Sequence, residues 1–142
     1  MPASAELLEL LVDTSVAVAL SVEDHEHHEA TLRALGNRRL GLAGHAAFET
    51  FSVLTRLPAP ARRTPAAITR LLEVNFPCSR FLSSEAAEDL LGQLHSAGIG
   101  GGAVYDALVG ATAKEHGPAL ATRDRRALDI YRALDVQVEL LP

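Results

Sequence analysis

The 142-residue chain carries a formal net charge of −5 and is 48% hydrophobic and 22% charged, which excludes a chain disordered throughout and fits one domain with its own core. Its single cysteine, Cys78, excludes an intramolecular disulfide framework and a cysteine-based zinc finger, and it is typical of a reducing compartment. Aromatic residues make up only 4% and tryptophan is absent, which argues against a broad stacking platform for single-stranded nucleic acid.

Two segments bear on the cellular location of the protein. Residues 1–6 carry no positive charge, so we expect no secretory signal. The most apolar stretch, residues 90–113, is interrupted by Gln93, His95, Asp106 and several glycines, so it does not predict a membrane helix. We therefore expect a cytoplasmic protein without a membrane partner.

The first half of the chain alternates short apolar runs with helical patterns. In chain order it predicts a buried strand at 10–12, a solvent-facing helix at 23–35, a strand at 40–43, an apolar helix at 46–57 and a helix from 65 onward. Gly36 predicts the end of the helix at 23–35. Thr64 and Pro65 are a typical N-cap and first helical residue.

The second half continues the same alternation. It predicts a short strand at 81–82, a helix from Ser84 to near Gly98, an apolar helix at 103–116, a strand at 119–121, a helix capped by Thr122 and a half-exposed strand at 136–140. Strands that alternate with helices are typical of an α/β protein with a mainly parallel sheet. We expect one domain spanning residues 1–142.

Three carboxylates each stand alone in an apolar stretch that contains no other Asp, Glu, Lys or Arg. They are Asp13 within residues 10–22, Glu49 within 40–55 and Asp106 within 90–113. An ionised carboxylate buried without a partner costs several kcal/mol, so each of these side chains must find a cation or a proton. Three such cases in one chain indicate a shared binding site.

The predicted strands suggest where this site lies. Asp13 ends the first strand, and Asp124 directly follows the strand at 119–121, so both belong to the edge where ligands of open α/β sheets gather. Carboxylates without histidine or cysteine offer only hard oxygen ligands, which select Mg²⁺ or Mn²⁺. Such ions activate water and stabilise charge on a phosphoryl group, so the pattern predicts phosphodiester hydrolysis.

Four segments resemble the PIN-domain family and, within it, the toxin ribonucleases of the VapC type. They are residues 11–16, 47–54, 105–113 and 120–124. The resemblance implies a single PIN-like domain with a mainly parallel sheet between two layers of helices. It also implies a divalent-metal endoribonuclease that cleaves structured RNA such as tRNA or rRNA, forms a homodimer and is inhibited by a cognate antitoxin protein.

The resemblance also assigns roles to individual residues. It implies that Asp13 and Asp106 are direct metal ligands, and that Glu49 and Asp124 bind a second ion or orient water. Thr122 and Ser15 would be the hydroxyls that hold these carboxylates in position.

The arginines around Asp124 are candidates for substrate binding. Arg123, Arg125 and Arg126 flank this carboxylate and can bind phosphates through two hydrogen bonds each. The alternative is that they form solvated helix faces or internal ion pairs.

Other residues are expected to serve the fold. We expect Phe48 and Tyr105, each beside one of the acids, to pack in the core rather than to stack on bases, and Cys78 to be a buried or incidental thiol. His45, four residues before Glu49, is expected to be structural, with a substrate contact as the alternative.

Two other functions remain open at this stage. The first is a non-catalytic PIN-like module that binds RNA or protein and has a structural metal site. The second is a small phosphatase, but Ser15 occupies the position where such an enzyme needs a second aspartate two residues after Asp13.

Overall fold

The computed structural model describes residues 8–142. The expectation of no secretory signal, and the first residues of the expected 1–142 domain, lie outside this range. Within it, no helix is both long and apolar enough to cross a membrane.

Among the described residues, four short strands and seven helices follow one another. The strands are β1 (Glu9–Val12), β2 (Arg39–Leu42), β3 (Ala119–Thr122) and β4 (Val138–Leu140). The helices are α1 (Thr14–Ser21), α2 (His28–Leu35), α3 (His45–Thr55), α4 (Pro65–Asn75), α5 (Ser84–Ala97), α6 (Ala103–His116) and α7 (Leu128–Ala133), with a 3₁₀ turn at Arg125–Ala127 before α7.

The strands form one parallel sheet in the order β2-β1-β3-β4, with helices on both faces. Leu10 and Val12 pack into one core cluster, while Leu11 between them packs into the cluster on the other face. This alternation is what a strand buried on both sides requires. The predicted α/β fold, with a mainly parallel sheet flanked by helices, is confirmed.

Local signals predicted several helix ends correctly. The Thr64 hydroxyl accepts a hydrogen bond from the backbone N–H of Ala67, and Pro65 is the first helical residue. At the other ends, α2 stops at Gly36 and α6 at Gly117, both with a positive φ angle that suits glycine.

Three predicted features are wrong. Helix α2 begins at His28 rather than at residue 23, because residues 23–27 contain no apolar side chain to pack against the core. Residues 81–82 form no strand; the segment only makes a single bridge between Arg80 and Ala43. Thr122 does not cap a helix but ends β3, and Asp124 caps the 3₁₀ turn instead.

The free edge of β2 is covered by residues 78–80. The backbone N–H of Cys78 donates to the carbonyl of Leu40 at 2.9 Å, and that of Arg80 donates to the carbonyl of Leu42 at 3.1 Å. Cys78 is buried, as expected. This segment thereby stabilises the strand that leads into α3.

Candidate active site

Asp13 is placed by the junction of β1 and α1. It follows the last residue of β1 and caps α1, where its Oδ1 accepts a hydrogen bond from the backbone N–H of Val16 at 3.3 Å. The same Oδ1 accepts a hydrogen bond of 2.6 Å from the Ser15 hydroxyl, and Oδ2 accepts one of 3.0 Å from the Tyr131 hydroxyl. Both carboxylate oxygens are therefore held in a fixed orientation.

Burial dominates the electrostatics of Asp13, which is 4% exposed. Burial raises the pKa of this carboxyl group, and hydrogen bonds from Ser15, Thr122 and Tyr131 partly oppose that rise. Burial and the nearby negative charge of Asp13 raise the pKa of Tyr131 far above its usual range. The phenol therefore remains a hydrogen-bond donor to the carboxylate.

Asp124 lies at the same sheet edge because β3 pairs with β1. The backbone N–H of Asp13 donates to the carbonyl of Ala121 at 3.1 Å, which links the two strand ends directly. The Thr122 hydroxyl accepts a hydrogen bond from the backbone N–H of Asp124 at 3.0 Å. The Asp124 side chain in turn accepts one from the backbone N–H of Arg126.

Helices α3 and α6 supply the other two carboxylates. Glu49 lies in α3, where its Oε1 accepts a hydrogen bond of 3.3 Å from the Thr14 hydroxyl. Asp106 lies in the first turn of α6, where the helix dipole favours a negative charge. Both side chains are half-buried.

The structure brings all four predicted carboxylates to one cavity of about 120 Å³. It is lined by Asp13, Thr14, Ser15, Glu49, Asp106, Val109, Asp124 and Tyr131. Burial and the neighbouring charges of Asp124, Asp13 and Glu49 raise the pKa of Asp106, while Arg126 lowers it. The carboxylates therefore repel one another, and a bound cation would offset this repulsion.

The donor set suits a hard divalent ion. In the described part of the chain, no three Asp, Glu, His or Cys side chains are close enough to ligate one ion together. Mg²⁺ keeps several of its waters and commonly binds through one or two carboxylates, so it does not need such a group. The carboxylate oxygens that line the cavity therefore fit Mg²⁺ or Mn²⁺ as a class of ligand.

Ser15 connects the two strand ends on which the site is built. Its hydroxyl donates to Asp13 and accepts a hydrogen bond of 2.9 Å from the backbone N–H of Arg123. Ser15 and Thr122 thus both lie where a hydroxyl can position the carboxylates, as the family resemblance implies. Their roles stay predictions.

The three candidate arginines differ in their surroundings. Arg126 is exposed, and its Nε lies 3.4 Å from Oδ1 of Asp124. The guanidinium of Arg123 instead donates two hydrogen bonds to the carbonyl oxygen of Pro142. Arg125 is exposed, and neither it nor the other two line the cavity. Of the three, Arg126 is the one whose side chain contacts a carboxylate of the site.

Two residues of the site carry no signal in the sequence, and two aromatic residues lie elsewhere than expected. Tyr131 and Thr14 contact Asp13 and Glu49, but no local pattern marks them, because their partners are 118 and 35 residues away. Phe48 and Tyr105 were expected to pack in the core, and that expectation is wrong: they are 66% and 51% exposed.

The Tyr131 hydroxyl is a target for a conservative substitution. We expect Tyr131→Phe to weaken Mn²⁺ binding about tenfold, because Oδ2 of Asp13 loses the donor that orients it. An electron paramagnetic resonance titration with Mn²⁺ measures this directly. Ser96→Ala, which removes an exposed hydroxyl in α5, is the control. Equal Mn²⁺ affinity in the parent and Tyr131→Phe would contradict the prediction.

Over most of its length, the sequence matches one family model and is similar to curated ribonucleases. The family model described as PIN domain matches residues 10–133. Ribonuclease VapC27 of Mycobacterium tuberculosis (strain ATCC 25618 / H37Rv) is 48% identical over 129 residues, which cover 91% of this chain and 94% of that protein. Ribonuclease VapC40 of the same species (strain CDC 1551 / Oshkosh) is 49% identical over 131 residues, which cover 91% of this chain and 96% of that protein.

Solved structures show the same fold at low sequence identity. The crystal structure of VapC20 from Mycobacterium tuberculosis, a toxin that cleaves the sarcin-ricin loop, has a TM-score of 0.67 at 20% identity and covers 94% of this chain and 99% of its own. The DNA-bound VapBC of Salmonella typhimurium has a TM-score of 0.66 at 18% identity, and the match covers 94% of this chain and 98% of that chain.

Proposed function

The chain belongs to the PIN-domain family, and from that membership we propose that it is a metal-dependent endoribonuclease toxin of the VapC type. We propose that its single domain comprises residues 1–142. The main support from the structure is the convergence of Asp13, Glu49, Asp106 and Asp124 on one cavity. Four carboxylates at the carboxyl edge of a parallel sheet suit phosphodiester hydrolysis.

In the proposed mechanism, each carboxylate acts from its observed position. Asp13 and Asp106 would hold the ion, and Glu49 and Asp124 would orient water or hold a second ion. When bound, Mg²⁺ or Mn²⁺ supplies an activated water and offsets charge on the phosphate. Ser15 and Tyr131 keep both oxygens of Asp13 oriented, so that little reorganisation is needed during the reaction.

We propose a structured RNA, either tRNA or rRNA, as the substrate. The support is the relative VapC20, which is named for cleaving the sarcin-ricin loop. Arg126 is the arginine best placed to contact an RNA phosphate, because it lies beside Asp124 and is solvent-exposed. We propose that the enzyme acts in the cytoplasm.

We propose a cognate antitoxin protein and a second copy of the chain as partners. Structural neighbours from Salmonella typhimurium and Rickettsia felis are named as VapBC assemblies, which supports an antitoxin partner. The homodimer rests on the family resemblance.

Cleavage of total cellular RNA by the purified protein, followed by sequencing of 5′ ends, tests this function. We expect discrete new ends that bear a 5′-phosphate with Mg²⁺ or Mn²⁺ present and none with a chelator. Protein that is folded and free of antitoxin but yields no such ends would favour the non-catalytic binding module instead.

Metal removal is also expected to lower the stability of the fold. A saturating concentration of Mn²⁺, about 100 times its Kd, should raise the free energy of unfolding by about 2.7 kcal/mol, because the ion binds the folded carboxylate cluster. Thermal unfolding with and without chelator measures this shift. An unchanged melting temperature over a wide range of Mn²⁺ concentrations would contradict a metal site in the cavity.

A further inference from the structure

Two aromatic rings are stacked next to the carboxylate cavity. The imidazole of His45 and the phenol ring of Tyr105 have centroids 4.9 Å apart and planes only 19° from parallel. His45 is the first residue of α3, and Tyr105 lies in the first turn of α6. The two helices that supply Glu49 and Asp106 therefore also supply this ring pair.

The ring pair lies close to the proposed reaction centre. Nε2 of His45 is 3.9 Å from Oε1 of Glu49, and Glu49 lines the cavity. Tyr105 directly precedes Asp106, another residue of the cavity wall. An RNA phosphate in the cavity would therefore place its neighbouring nucleotides within reach of the Tyr105 ring.

A purely structural role does not explain why the Tyr105 side chain is so exposed. His45 covers one face of the ring, yet Tyr105 remains 51% exposed, so much of the remaining surface is open to solvent. A core role would bury a large aromatic side chain much more completely. The stack also limits the motion of Tyr105, so that binding a flat ligand costs little additional side-chain entropy.

A second exposed aromatic pair has a different geometry. Phe48 and Phe81 meet edge to face, with centroids 6.2 Å apart and planes at 63°. They line an apolar groove together with Phe51, Leu72 and Phe76. This arrangement does not present a stacked ring beside the carboxylates, so these phenylalanines are not part of the inference.

We propose that Tyr105, supported by His45, stacks on an unpaired nucleobase of the RNA next to the scissile phosphate. This inference rests on the proposed ribonuclease function. A base inside a duplex has both faces covered by its neighbours, so Tyr105 selects loops, bulges or extruded bases. Every base has a flat aromatic face, so stacking favours unpaired RNA without fixing its sequence. One ring pair suffices for one base, which agrees with the low aromatic content.

The test compares RNA binding by two Tyr105 variants. All proteins carry Asp13→Asn so that the RNA stays intact. The probes are a single-stranded RNA of about ten nucleotides containing 2-aminopurine, and an abasic ribose-phosphate strand of the same length. We expect Tyr105→Leu to weaken binding of the first probe about tenfold and to leave binding of the abasic strand unchanged.

A spectroscopic signal and a conservative variant separate stacking from a general structural effect. Stacking quenches 2-aminopurine fluorescence, so quenching should be strong with the Asp13→Asn parent and with Tyr105→Phe, and weak with Tyr105→Leu. Leu91→Ala, which truncates a 73% exposed side chain of α5, is the control and should bind both probes like the parent.

Three results would overturn the inference. The first is equal binding of the 2-aminopurine RNA by Tyr105→Leu and its parent. The second is an equal loss of affinity for both probes. The third is a change from dimer to monomer in Tyr105→Leu by sedimentation, which would assign the ring to a protein interface. If total RNA is still cleaved by the chain with Asp13 intact, only the stacking role fails; if no RNA is cleaved or bound, the proposed function fails with it.

Discussion

Asp13→Asn is expected to lower the rate of RNA cleavage by about a thousandfold or more. The substitution keeps the shape of the side chain but removes the negative charge at the most buried carboxylate of the cavity, which is 4% exposed. An ion held there contributes several kcal/mol of charge stabilisation, and each 1.36 kcal/mol corresponds to a tenfold change in rate. The measurement is the initial rate of formation of discrete 5′-phosphate ends at saturating Mn²⁺.

The stability of Asp13→Asn separates loss of chemistry from loss of fold. Burial raises the pKa of Asp13, which means that its charge is costly in the folded protein. We therefore expect the metal-free free energy of unfolding to fall by no more than about 1 kcal/mol, with the stabilisation by Mn²⁺ greatly reduced. Asp129→Asn, an exposed carboxylate of α7, is the matched control. Full activity of Asp13→Asn in Mn²⁺ would exclude the proposed role.

Gly41→Ala is expected to lower the free energy of unfolding by about 3 kcal/mol. A Cβ atom at this position in β2 would overlap the carbonyl group of Cys78 and crowd the backbone nitrogen of Ser79. These are backbone atoms held by the hydrogen bonds between β2 and residues 78–80, so they cannot move aside as a flexible side chain would. The added methyl group must therefore push β2 and this segment apart.

Chemical denaturation with urea measures this loss, and Gly92→Ala is the control. Gly92 lies inside α5 with no heavy atom near an added Cβ, so alanine should stabilise that helix by about 0.5–1 kcal/mol. If the two Gly→Ala substitutions change the free energy of unfolding in opposite directions, close packing rather than backbone flexibility explains the glycine at residue 41. A free energy of unfolding of Gly41→Ala within about 1 kcal/mol of the parent would contradict the expected clash.

Helix boundaries illustrate how far local sequence information reaches. Thr64 and Pro65, and Gly36 at the end of α2, predict helix ends correctly because a cap involves residues only a few positions apart. Helix α1 was not predicted, since its apolar residues are too evenly spread to show one hydrophobic face. It forms because Val16, Ala17 and Ala19 are buried within the core.

At the candidate site, too, local sequence signals identify some features, while others depend on tertiary packing. Asp13, Glu49 and Asp106 stood out because each is the lone charge in an apolar stretch, and the cost of burying such a charge can be judged from sequence. Their convergence on one cavity with Asp124 agrees with that reasoning. The catalytic roles themselves stay predictions until the variants are measured.

By itself, the sequence determined the α/β class and the parallel arrangement, because the alternation of strand and helix patterns can be recognised along the chain. It also singled out Asp13, Glu49 and Asp106 as isolated charges, whereas Asp124 was predicted from its place directly after a strand. Only the tertiary structure decided that Tyr131 and Thr14 donate hydrogen bonds to the carboxylates, and that Tyr105 stacks on His45 while remaining solvent-exposed. These contacts join residues 35 to 118 positions apart along the chain. Such pairings depend on how β1, β3 and the helices pack together, and no local pattern carries that information.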